Sequence, residues 1–346
     1  MSETVKHNKT FNAVNMRDYL HDGLASDLAK FAEGSNARSG YANLDAITNL
    51  YPGLYFIGAI SSLGKTTFTH QMADQLARSG KKVLYFSLEQ SVLELATKSL
   101  SRIMAQKNAI TARTSLQIRK KGCDSHVNEA IDEYEAFSDN LTVIECSFNE
   151  TIDDITGYVE EYMKKNTIKP VVIIDYLQVI QSESKLSTKE SVDMHVRRLK
   201  LLQSENSLVM IVISSINRQN YLAQIDFESF KESGGIEYTA DVVWGLQLEV
   251  IHNPIFDDQG KLNVKREMIR EAKEANPRRV ELVCLKNRFG ISSYKCSFDY
   301  YPRFDWFKPD MKGVDAAANS KDEDENGSIS LQDYQHMAFD PNTPFA

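Results

Sequence analysis

At 346 residues, with 42% hydrophobic and 25% charged side chains, the chain can bury one large α/β domain with attachments, or two small ones. Its four cysteines (Cys123, Cys146, Cys284 and Cys296) include no C-x-x-C pair, which argues against a disulfide framework or a zinc site and for reduced thiols in a cytoplasm. The net charge of -8 does not exclude a nucleic-acid partner, because residues 315–346 carry seven acidic residues and one lysine, leaving about -2 for everything before them.

The chain opens on the polar stretch MSETVKHNKT, with no apolar leader segment, and residues 1–12 are expected to be disordered. The longest apolar runs, around 171–174 and 208–213, are too short to cross a bilayer, so a cytoplasmic location is expected. Over residues 13–33, Val14, Met16, Leu20, Leu24, Leu28 and Phe31 recur at helical spacing, with a break near Gly23. Residues 34–50 form a connector, and 13–50 are read together as a linker helix and its connector. From 51 to 310, apolar runs at 54–60, 83–86, 141–144, 171–174 and 208–213 alternate with helical stretches at 66–78, 92–106, 152–165 and 192–205. Continuous apolar strands separated by helices predict an α/β fold: a mostly parallel twisted sheet with helices on both faces. Further strand-like runs at 241–248, 280–285 and 293–298, with no long helix between the last two, predict a C-terminal antiparallel hairpin. Residues 311–346 read as an acidic, disordered tail that solubilises, recruits a partner or competes with nucleic acid.

The segment Ala59-Ile-Ser-Ser-Leu-Gly-Lys-Thr66 fits the phosphate-loop pattern with Ala in the first position, and it lies between a strand and a helix as that motif requires. Backbone N–H groups of Ser61, Ser62, Leu63, Gly64, Lys65, Thr66 and Thr67 are the expected cradle for the phosphates of ATP. Lys65 would reach the β and γ oxygens, and the Thr66 hydroxyl would hold Mg²⁺. The run Val171-Val-Ile-Ile-Asp175 puts a carboxylate at a strand's C-terminal end, where Asp175 either helps bind Mg²⁺ or simply caps a turn. Glu89, just past the next strand, either polarises an attacking water or stabilises the start of a helix. Lys286 and Arg288, two apart on an extended segment, point the same way and suit a phosphate clamp; spacing leaves open whether they serve their own site, a neighbour's, or neither.

Together these segments resemble the C-terminal ATPase domain of DnaB-type replicative helicases, a RecA-like phosphate-loop core, over about residues 39–307. The landmarks run in family order: AISSLGKTT, YFSLEQS, VVIIDYLQVI, VISSINRQNY, FKESGGIEYTADVV and LKNRFG. The phrasing is most similar to helicase modules of Firmicute phages and mobile elements, where the module is often fused behind a primase. The resemblance implies an ATP-driven, 5′→3′ translocase on single-stranded DNA, working as a homo-oligomeric, hexameric ring with ATP between subunits. It implies that Glu89 is the catalytic glutamate and that Lys286 and Arg288 reach the γ-phosphate of the adjacent subunit. Lys231, Glu232 and Gly234, in FKESGG, match a loop on the DNA backbone, with Lys231 where better-known members carry arginine. The helix at 13–33 matches the linker helix that docks on a neighbouring subunit.

Two departures accompany the match. Ser215 stands where many members have a glutamine that senses the γ-phosphate. About fifty residues precede the core, too few for the helical collar that recruits primase, so a separate primase or loader would supply that role, or the chain is not a stand-alone helicase. Segments 181–193 and 218–235, with Lys185, Lys189, Arg218 and Lys231, suit loops tracking a phosphate backbone or plain solvated loops. Tyr221 and Phe227 would either stack on bases or pack against the loop's own base. The competing functions are a non-unwinding ATP-dependent regulator or scaffold of a mobile element, and a RecA-like recombination ATPase.

Overall fold

The computed structural model describes residues 13–34, 37–147, 149–181, 187–217, 221–230, 234–258 and 260–312. Near the N-terminus, α1 (Met16–Asp18) and α2 (Leu24–Gly34) are joined by a π-helical turn, Tyr19–Gly23, where the sequence predicts a break. A short helix α3 (Ala42–Asp45) leads to β1 (Gly53–Ala59) and α4 (Lys65–Arg78). There follow β2 (Val83–Ser87), α5 (Val92–Lys107), α6 (Ser115–Lys121), α7 (Ser125–Ser138), β3 (Leu141–Glu145), α8 (Ile152–Lys165) and β4 (Val171–Asp175). The chain continues through α9 (Thr188–Asn206), β5 (Val209–Ser215), α10 (Gly234–Thr239), β6 (Val242–Leu248) and α11 (Leu262–Glu274). It closes with β7 (Arg278–Asn287), β8 (Lys295–Tyr301) and β9 (Trp306–Pro309).

The strands form one nine-stranded sheet in the order β3-β2-β4-β5-β1-β6-β7-β8-β9. The first six run parallel, and β7, β8 and β9 extend the sheet antiparallel from β6. Every residue of β1, β2, β4 and β6 is buried, because helices cover both faces; this is why those strands read as largely apolar runs. Reciprocal capping boxes start α5 (Ser91 with Glu94), α6 (Thr114 with Gln117), α8 (Thr151 with Asp154) and α9 (Ser187 with Glu190). The capping serine of α9 explains why that helix begins at Thr188, four residues before its apolar pattern.

β1 and β4, which end at the phosphate-loop motif and at Asp175, are separated by β5. Their C-terminal ends therefore lie along one edge of the sheet with a crevice between them, where parallel α/β sheets receive ligands. Antiparallel pairing decides the rest. Val280 at the start of β7 faces Leu248, while Asn287 at its end faces Val242, so the two ends of β7 stand at opposite edges of the sheet.

Candidate nucleotide-binding active site

Ala59 is the last residue of β1, fully buried and in ordinary strand pairing, so alanine fits the motif's first position without strain. The loop then turns through Ser62 (φ 64°) and Gly64 (φ 92°), with Leu63 buried beneath it. Left-handed residues in a short loop turn successive N–H groups toward one concavity. Gly64 is constrained twice, since a Cβ there would also lie 2.9 Å from the Tyr300 ring. Lys65 opens α4 and lays its ammonium on the carbonyls of Ala59 (3.0 Å) and Ile60 (3.4 Å). Burial pulls the Lys65 pKa below its ordinary value, opposed by the charges of Asp175, Tyr221 and Glu89.

Asp175 ends β4 with its carboxyl buried, accepting from the Tyr85 phenol at 3.0 Å and from the Thr66 side chain. Burial pushes its pKa up to about 6, against the pull of Thr66 and Tyr85, with Glu89 adding to the rise. Glu89 is exposed on the turn between β2 and α5, and its charge is felt at both Lys65 and Asp175. Lys65, Thr66, Glu89 and Asp175 are thus brought to one site from three separate strand ends. Thr66 and Asp175 offer hard oxygen donors, which suit Mg²⁺ completed by phosphate oxygens and water. Among the described residues no cluster of three or more His, Cys, Asp or Glu could hold a metal by itself. No helix of the described residues is long and apolar enough to cross a membrane.

Four side chains reach this edge that the sequence did not place at the phosphate loop. Tyr85 bridges Asp175 to Thr69, whose hydroxyl is 3.4 Å from the phenol. Lys273, at the end of α11, donates to the Ser61 carbonyl at 3.2 Å, and Arg278, opening β7, donates to the Ser62 carbonyl at 2.9 Å. Their distance along the chain from the loop leaves no local signal; the antiparallel return of β7 puts them there. The Tyr221 hydroxyl lies 2.9 Å from Ser61 Oγ. Phe227 is partly buried against the core, as its packing alternative expects, whereas the Tyr221 hydroxyl sits on the phosphate loop, a contact that neither alternative named. Ser215 receives the Gln178 side chain on its N–H (3.0 Å), and the same amide donates to Ser214 Oγ (2.7 Å).

His70 lies on α4, edge-on to Tyr85 with centroids 5.4 Å apart, and neither ring nitrogen has a partner among the described residues. Burial pushes its pKa down from 6.5 to about 4, with Asp74 pulling the other way. Between those values the unfolded chain takes up a proton that the folded chain refuses, so stability falls as pH falls. The full effect is on the order of 3 kcal/mol. Denaturant midpoints are expected to drop between pH 6.5 and 4.5, and less so in His70→Leu; an unchanged slope in that variant would remove His70 as the cause.

Lys286 and Arg288 lie elsewhere. Arg288 donates to Asp241 Oδ1 (3.2 Å), and its backbone N–H bonds the Asp241 carbonyl (3.0 Å). Asp241 in turn accepts from the Leu54 N–H (2.8 Å) and from Lys200 (2.5 Å). Lys286 donates to the Glu237 carbonyl at 2.6 Å; burial and the Arg288 charge lower its pKa. The pair is therefore anchored where β1 begins, one strand length, about 20 Å, from the loop where β1 ends. Arg218, Lys231 and Glu232, and also Lys185, lie outside the described residues; Gly234 opens α10, and Lys189 is exposed on α9.

The sheet order, the loop on β1 and the carboxylate on β4 define a RecA-like phosphate-loop fold. The model of the DnaB-like helicase C-terminal domain matches residues 37–308, and the chain belongs to that family. A probable replicative DNA helicase from Trieres chinensis is 26% identical over 284 residues, covering 79% of this chain and 58% of its own. The replicative DNA helicase DnaB of Leifsonia xyli is 31% identical over 234 residues, covering 64% of this chain and 49% of its own. The chain thus spans about half the length of these relatives. Among solved structures, the ATPase domain of G40P superposes with a TM-score of 0.63 at 20% identity, over 86% of this chain and 99% of that one, a likeness of fold.

Proposed function

We propose that the chain is the motor of a DNA-replication helicase: it hydrolyses ATP between subunits of a hexameric ring and moves 5′→3′ along single-stranded DNA. The observation that carries the shared site is the place of Lys286 and Arg288, about 20 Å from the loop of their own chain. Arg288 keeps half its side chain exposed although it pairs with Asp241, so its guanidinium is available to an adjacent copy. In this reading the loop from Ser61 to Thr67 seats the triphosphate and Lys65 neutralises its β and γ oxygens. Thr66 and Asp175 would hold Mg²⁺, which would supply positive charge to offset that of the phosphates. Glu89 orients and deprotonates the attacking water, and the neighbour's Lys286 and Arg288 stabilise charge on the transferred phosphoryl group.

Val14, Met16, Leu20 and Leu28 are exposed apolar residues on the N-terminal helices. A neighbouring subunit that covers them would account for that exposure, as expected of a linker helix. Arg218, Lys231, Glu232 and Gly234 would form the DNA-facing set, in the stretch of sequence that follows β5. A separate primase or loader would complete the assembly.

Gel filtration with and without ATP and Mg²⁺, alongside ATP hydrolysis with and without single-stranded DNA, tests this reading. The motor is expected to assemble into a ring and to hydrolyse ATP at least several-fold faster on DNA. A monomer whose hydrolysis ignores DNA would leave the regulatory reading in its place.

A further inference from the structure

The excursion at residues 221–230, beyond the C-terminal edge of β5, packs back onto the sheet. Its base is closed by the bridge between Ile216 and Phe230 and by the Asn217 N–H on the Ser229 carbonyl at 2.7 Å. Asp226 caps the short turn Phe227–Ser229, and the Ile225 N–H donates to Gln247 Oε1 at 2.8 Å. Tyr221 makes a contact of another kind. Its phenol oxygen lies 2.9 Å from Ser61 Oγ and accepts from the Ser61 N–H at 3.3 Å. Lys273 stands 5.7 Å over the Tyr221 ring and holds the Ser61 carbonyl. All three polar groups of Ser61 are thereby engaged by side chains from outside the loop.

A phosphate oxygen seated in this loop would draw on the same Ser61 N–H. A charge-assisted bond of that kind is about twice as strong as one to a neutral phenol. The phenol and the phosphate therefore compete for one donor. Tyr221 heads that excursion, and Phe230 at its other end directly precedes Lys231 in the sequence, so displacing Tyr221 acts on the segment that leads to Lys231.

We infer that Tyr221 is a positioning residue whose hydroxyl competes with nucleotide phosphate for the Ser61 N–H, linking phosphate entry to release of the excursion at residues 221–230. This rests on the nucleotide reading proposed above. Linkage is reciprocal: a DNA strand that draws the excursion off the loop raises nucleotide affinity by the same factor by which nucleotide raises DNA affinity.

The test uses the full chain as wild type, Tyr221→Phe and Ser61→Ala, titrated with a fluorescent ADP analogue with and without oligo-dT. Phenylalanine keeps the ring under Lys273 and removes only the hydroxyl. Tyr221→Phe is expected to bind ADP about two- to tenfold tighter without DNA, the range of one neutral hydrogen bond. The factor by which oligo-dT changes ADP affinity should shrink toward one. Ser61→Ala keeps the N–H and should tighten binding less. Equal affinity in wild type and Tyr221→Phe overturns the inference; so does weaker binding, which would make the hydroxyl a phosphate ligand. If oligo-dT shifts both proteins alike, the link to the excursion is overturned. A wild type that binds no ADP overturns the nucleotide reading itself, and the inference with it.

Discussion

Arg288→Ala and Glu89→Gln, each nearly inactive alone, should regain ATP hydrolysis when mixed. Losing a cation that stabilises the transferred phosphoryl group costs about a thousandfold or more in kcat, and losing a general base about a hundred- to ten-thousandfold. If one site takes Glu89 from one subunit and Arg288 from the next, a heterologous ring drawn from an equal mixture contains some intact interfaces. About a quarter of them would pair an unaltered Glu89 with an unaltered Arg288. Activity in the mixture should then exceed either variant by an order of magnitude or more. The Arg288 substitution is a fair probe because Asp241 keeps Lys200 and the Leu54 N–H as partners, so the start of β1 stays held. A mixture no faster than its better component would place both groups in one chain's site, or Arg288 in none. The second outcome would leave Arg288 a partner of Asp241 and no more.

The parallel half of the sheet was legible because burial on both faces forces apolar runs, and the runs at 54–60 and 171–174 became β1 and β4 within a residue or two. Local chemistry also made the phosphate loop legible: Gly64 is required where φ is 92°, and Lys65 and Thr66 must follow it directly. β9 was not foreseen. It has four residues, held by pairing with β8 and by the Gln71 side chain, which bonds both the N–H and the carbonyl of Phe307 at 2.8 Å. Such support comes from α4, far away in sequence, and leaves no periodicity in the strand itself. Helices α6, α7 and α11 were unmarked for a related reason. Their buried positions are few (Ile118 alone in α6), so the apolar stripe is thin. Tyr221, Lys273 and Arg278 show the same limit at the site, since they reach the loop through topology.

The buried pair Asp74–Arg102 is the second place where a single substitution should have a large effect. Both side chains lie below a tenth exposed, and Arg102 also donates to the Asp305 carbonyl at 2.9 Å, while Ser99 donates to Asp74 at 2.6 Å. Asp305 in turn accepts from Thr67 of the phosphate-loop helix at 3.4 Å and pairs with Lys98 at 3.6 Å. The cluster thus joins α4, α5 and the β8–β9 turn behind the nucleotide loop. Arg102→Ala leaves a carboxylate buried without its counter-charge, a change that costs about 3–5 kcal/mol. Asp74→Ala strands the guanidinium and should cost a similar amount. If charge burial is the cause, replacing both together with apolar side chains, Asp74→Leu with Arg102→Met, should recover half or more of the loss, because neither desolvated charge remains. Urea denaturation of the three variants against wild type measures this. Single variants within about 1 kcal/mol of wild type would mean that water or a neighbouring group compensates the exposed charge. A double variant no better than the worse single would mean that the hydrogen bonds to Ser99 and Asp305, rather than the paired charges, hold the loop's rear wall in place.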